Sequence, residues 1–70
     1  MILTRLRLTY PGLPQYRVFC LDRDSPWVIV LYCRSDGDVY SVGQFPVRDL
    51  GGELVSALHY GGCALEVIEA

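Results

Sequence analysis

Cys63, His59 and Asp49 are the residue types of a nucleophile, a base and an orienting acid, and a thiolate mechanism needs all three within hydrogen-bond reach. Their spacing works against that arrangement. Asp49 falls at the start of a helical stretch and His59 at its end, a helix length apart. The sequence therefore reads as a helix-end histidine beside a structural thiol. Asp22 with Asp24, and Asp36 with Asp38, are paired carboxylates of the kind that could hold a hard cation. They miss the calcium-loop spacing and fall in loops at opposite ends of a strand, where turn chemistry accounts for them. Gly51-Gly52 could offer backbone amides to an anion, but it lacks the longer glycine signature and the Lys of a phosphate loop. Cys20, Cys33 and Cys63 are odd in number, widely spaced and without a C-x-x-C knuckle, so they read as reduced thiols. The reading assigns no catalytic residue, no cofactor and no metal, and it predicts a protein that is not an enzyme.

The elements that position these residues follow from periodicity. Thr4-Arg5-Leu6-Arg7-Leu8-Thr9-Tyr10 alternates at period two, with Leu6, Leu8 and Tyr10 on one face and Arg5, Arg7 and Thr9 on the other. Pro11-Gly12-Leu13-Pro14-Gln15 is dense in turn residues and sends the chain back into a second strand from Tyr16 to Leu21. After the loop Asp22-Arg23-Asp24-Ser25-Pro26, the apolar run Trp27-Val28-Ile29-Val30-Leu31-Tyr32-Cys33 predicts a strand buried on both faces. Asp36-Gly37 predicts a tight type I′ hairpin into a fourth strand, Val39 to Phe45. Pro46 closes it. Asp49 is a candidate N-cap for a helix with Leu50, Leu54, Ala57 and Leu58 on one stripe, its start pushed toward Gly52 or Glu53 by the two glycines. Gly61-Gly62 stops the helix, and Cys63 to Glu69 supplies a fifth strand.

This ββββαβ string predicts one small α+β domain over residues 1–70: a five-stranded, mostly antiparallel sheet with one helix packed on one face. Strand five fits antiparallel beside strand one, giving the order 5-1-2-3-4, or parallel beside strand four through a right-handed crossover. The first is favoured. Pairing Tyr10 with Tyr16 in the first hairpin sets Leu6 and Leu8 against Cys20 and Val18 under the helix. Arg5, Arg7, Arg17, Phe19 and Leu21 then share the opposite face. Trp27 at the mouth of the third strand joins them as a candidate anchor.

One helix covers one sheet face, so the sequence leaves a second apolar face without an obvious cover, and exposed apolar patches mark interfaces. Arg5, Arg7, Arg17, Phe19, Leu21 and Trp27 are accordingly the candidate protein-interface residues, an apolar centre with an arginine rim. The partner expected is another protein or protein complex, with the chain acting as a small inhibitor or adaptor by occlusion. An anti-defence inhibitor of the anti-CRISPR kind is one member of that class. The alternatives are a single-stranded nucleic-acid binder using the Arg/aromatic face, a structural homodimer that closes the face by self-association, and a strongly curled sheet that hides the face internally. The net charge of −2 argues against the nucleic-acid reading. All six basic residues are Arg, with neither Lys nor Asn present, which suits a GC-rich bacterial or phage source. The 51% hydrophobic content is that of a folding chain, and no apolar stretch reaches the roughly 18 residues of a membrane span. The start, Met1-Ile2-Leu3-Thr4-Arg5, lacks the apolar core of a signal peptide, so the expected location is cytoplasmic.

Overall fold

A computed structural model describes residues 3–59 and 61–69; Met1 and Ile2, part of the short start read above, lie outside the described residues. The chain forms β1 (Leu3–Thr9), β2 (Tyr16–Asp22), β3 (Trp27–Cys33), β4 (Val39–Pro46), a 3₁₀ turn (Val47–Asp49), α1 (Leu50–Leu58) and β5 (Ala64–Glu69). All neighbouring strands are antiparallel in one open sheet ordered β4-β3-β2-β1-β5. Strand five thus lies beside strand one. Pro46 ends β4, and the Val47 N–H donates to the Pro26 carbonyl at 2.8 Å, tying the start of the helical segment to the loop before β3. Asp49 occupies the position before α1 without a side-chain capping bond, and the helix already begins at Leu50 with both glycines in its first turn.

The core lies between α1 and one sheet face. Leu8, Phe19, Val28, Val30 and Ala57 are buried, with Leu6, Leu21, Phe45, Leu50 and Leu54 packed around them. Phe19 and Phe45 meet edge to face with centroids 6.1 Å apart. A nine-residue helix is about 13.5 Å long, short of the roughly 19 Å needed to cross five strands. The outer stripe position Leu58 is therefore exposed, as are Leu65 and Val67 on the edge strand.

The first hairpin corrects the expected register by one residue. Thr9 pairs with Tyr16, Leu8 with Arg17 and Leu6 with Phe19, so every β2 side chain takes the face opposite to the one expected. Phe19, Leu21 and Arg17 lie on the helix face, and Val18 and Cys20 take their place beside Arg5 and Arg7. Turn chemistry fixes this. Tyr10-Pro11-Gly12-Leu13 is a type II turn, with Pro second, Gly12 at φ +74° third and the Leu13 N–H returning to the Tyr10 carbonyl at 3.3 Å. Pro14 and Gln15 lengthen the loop by two more residues. Packing agrees, because the slip buries Phe19 and packs the half-buried Leu21 against the same core under the helix.

The second hairpin also departs from the type I′ expectation. Only Gly37 has positive φ, at +90°, and the Arg34 N–H donates to the Asp38 carbonyl at 2.8 Å, so Ser35, Asp36 and Gly37 form a three-residue loop. Between the pairs Cys33–Val39 and Tyr32–Ser41 the extra residue Tyr40 forms a bulge, after which Val30–Gly43 and Val28–Phe45 pair in the expected register. The bulge moves Tyr40 away from Ile29 and Leu31 and brings its ring within 6.4 Å of Tyr32.

Candidate functional site: the open sheet face

Among the described residues no element packs on the face opposite α1. Its cross-strand rows follow from the register. One row is Glu69, Arg5, Cys20, Ile29 and Gln44; the next is Glu66, Arg7, Val18, Leu31 and Val42. The centre of the sheet is apolar, and its β5–β1 side is charged. Ile29 and Leu31 are half-buried, while Val42 on the β4 edge is 62% exposed. Val18 and Cys33 are buried with no second layer above them. Val18 stands between Arg7 and Leu31 on its row and Cys33 between Tyr16 and Val39, and long neighbours of this kind shield small side chains laterally.

The charged side is a ladder. Arg7 donates to Glu66 and lies 5.9 Å from the Tyr16 ring centroid, while Arg5 Nε sits 3.4 Å from Glu69 Oε2. Glu66 and Glu69 reach one face despite their odd spacing because β5 shifts register between the partners of Arg5 and Leu6, leaving Ile68 as the extra residue. Among the described residues the Nε–H groups of both arginines are shielded from water and make no hydrogen bond, Arg5 Nε meeting Glu69 as an ion pair only. Exposed pairs of this kind contribute at most about 1 kcal/mol each. They place the two guanidiniums along one side of the apolar centre. Burial pushes the Cys20 thiol above its ordinary value of 9.0, with Arg5 opposing and Cys33 and Glu69 adding to the rise.

Of the candidate interface residues, the structure places Arg5, Arg7 and, by strand alternation, the 45%-exposed Trp27 on the open face. It places Arg17, Phe19 and Leu21 on the helix face, with Phe19 only 2% exposed. Val18, Cys20, Glu66 and Glu69 belong to the open face and were missed. The signal for the two glutamates was present, since a favoured strand order with five beside one already brings an Arg-x-Arg strand against a Glu-bearing one. The Cys63, His59 and Asp49 set is not assembled: the Cys63 thiol donates to the Ala57 carbonyl at 3.2 Å, and Asp49 and His59 flank opposite ends of α1. Asp22 and Asp36 each accept a backbone N–H two residues on, at 3.0 and 2.9 Å, as turn formers do. Among the described residues no group of three or more His, Cys, Asp or Glu could hold a metal ion, and no helix is long and apolar enough to cross a membrane.

Comparison of the chain with protein-family models, with curated proteins and with solved structures finds no match.

Proposed function

We propose that this protein acts by binding another protein through its open sheet face, as a compact inhibitor or adaptor that occludes part of a larger complex. The observation that carries the reading is the apolar centre of Val18, Ile29, Leu31 and Val42, bounded on one side by Arg5, Arg7, Glu66 and Glu69 and left without a covering layer by the described residues. An apolar centre beside a polar margin is how protein interfaces are built. Size supports a specific contact. Five strands spaced about 4.8 Å apart and about 23 Å long present on the order of 500 Å². A partner covering all of it would bury about 1,000 Å² in total, the lower end of specific interfaces. The nucleic-acid alternative depended on Arg5, Arg7, Arg17 and Phe19 sharing one face, and Arg17 and Phe19 lie on the other.

Co-purification of the tagged protein from its own cells tests the reading, comparing the wild type with Val42→Asp on the open face and Val55→Asp on the outer side of α1. A stoichiometric partner kept by Val55→Asp and lost by Val42→Asp supports it. A partner kept equally by both variants, or none while the protein remains monomeric, overturns it. A homodimer by solution mass that Val42→Asp dissociates makes the partner a second copy.

A further inference from the structure

The helix face holds a feature that the open-face reading does not use. Arg17 sits on β2 beside the buried Leu8, and its guanidinium lies 5.5 Å from the Tyr10 ring centroid and 5.1 Å from that of Tyr32. Among the described residues Arg5 pairs with Glu69, Arg7 with Glu66 and Arg34 with Asp38, whereas Arg17, Arg23 and Arg48 have no carboxylate within ion-pair distance. Of these last three, Arg17 alone stands within a strand. With tyrosine rings over its faces, the part of the Arg17 guanidinium left to bind is its N–H edge, the fork that takes carboxylate or phosphate in a bidentate pair.

That edge has space around it. A hollow of about 200 Å³ is lined by Tyr10, Leu13, Arg17, Tyr32 and Tyr40 among others, and an adjoining one of about 480 Å³ by Tyr10, Pro11, Leu13 and Arg17. Two sequence features shape the first. The Tyr40 bulge turns that ring toward Tyr32, and the type II turn carries the 59%-exposed Leu13 that lines it. Arg34 stacks 5.4 Å from the Tyr40 ring centroid and pairs with Asp38, outside the lining of the hollow. An anion fork bordered by tyrosine rings and an apolar flap suits a ligand with an oxyanion at one end and a flat aromatic body at the other.

We propose that Arg17, with Tyr10, Tyr32 and Tyr40, forms a binding site for a small aromatic oxyanion: the phosphate or carboxylate pairs with the Arg17 fork, and the ring lies against Leu13 and Tyr10. A mononucleotide and an aryl carboxylate are the two sources of that chemistry. This site is on the opposite face from the proposed protein interface, so either can fail without the other.

Titration of the full chain, followed by the Arg17 Nε–H and the tyrosine ring resonances, tests the proposal with AMP, benzoate, adenosine and inorganic phosphate as separate probes. The expected result is saturable shifts at Arg17 and Tyr32 with AMP or benzoate, the tighter of the two naming the source. Adenosine, without an oxyanion, and phosphate, without a ring, bind at least tenfold more weakly. Arg17→Lys keeps the charge and loses the fork, and weakens binding about tenfold. Tyr40→Ala, at a half-exposed position, keeps the fold and weakens binding severalfold, so the test does not depend on Arg17 variants folding. No saturable shift at Arg17 with AMP or benzoate at millimolar concentration and low salt overturns the proposal. So does binding that Arg17→Lys and Tyr40→Ala leave unchanged.

Discussion

Replacing Phe19 by Ala tests the register on which both faces depend. The side chain is 2% exposed, stands between Leu6 and Val30 on the neighbouring strands, and meets Phe45 edge to face at 6.1 Å. Removing a buried Phe ring costs about 3–5 kcal/mol through lost transfer energy and the cavity left behind. Marginal stability of about 0.05–0.15 kcal/mol per residue gives a chain of this length a total of about 3.5–10 kcal/mol. Phe19→Ala should therefore remove between a third and all of the stability. In urea, monitored by Trp27 fluorescence and far-ultraviolet circular dichroism, a slope of about 1 kcal/mol/M converts this into a midpoint lowered by about 3 M, or into a chain unfolded before denaturant is added. Val42→Ala, at a 62%-exposed position, should stay within about 0.5 kcal/mol of the wild type. A Phe19→Ala midpoint within about 0.5 M of the wild type would refute the register and return Phe19 to the open face.

Gly37 holds φ +90° in the three-residue hairpin, so Gly37→Ala should cost about 1–2 kcal/mol in thermal unfolding, whereas Gly51→Ala, in open space in the first turn of α1, should stabilise by up to about 1 kcal/mol. The Cys20 thiol is raised above 9.0 by burial, so the unfolded chain ionises first: this group costs nothing below pH 9 and lowers stability as pH climbs from there through the folded-state value. Denaturant midpoints between pH 8 and 11 should fall less steeply for Cys20→Ala than for the wild type. A double-mutant cycle on Arg7 and Glu66 should give a coupling of at most about 1 kcal/mol. Arg7→Ala alone should cost more than Glu66→Ala, because the Arg7 guanidinium also lies over the Tyr16 ring.

The strands, the antiparallel order and the presence of one helix-covered core were legible because alternation, Pro, Gly and the Leu50–Leu54–Ala57 spacing all point to the same elements; the helix start was not, since α1 begins at Leu50 and takes both glycines into its first turn. The first register was not. Strand β2 is apolar on both faces, with Val18 and Cys20 on one and Phe19 and Leu21 on the other, so the hydrophobic pattern cannot choose between two pairings one residue apart. The choice lay in the number of residues that the Pro11-Gly12 turn and its Pro14-Gln15 extension consume. The second hairpin shows the converse. Its turn type was misjudged, yet the extra residue at the Tyr40 bulge cancels the change of loop length, and the expected pairs from Tyr32–Ser41 onward are the ones formed. The same bulge assembles the Arg17 pocket, which no spacing in the sequence announces, because its tyrosines come from the first turn, β3 and β4.

The most direct test of the open face as the working surface is site-specific photocrosslinking in the protein's own cells, with the photoreactive residue at Val42 or, as the control, at Val55. The account predicts a single dominant protein adduct at Val42, absent at Val55 and suppressed when Leu31 on the same row is changed to Glu in a variant that retains its folded circular dichroism spectrum. Equal labelling at the two positions, or no adduct at Val42 beyond background, would contradict it.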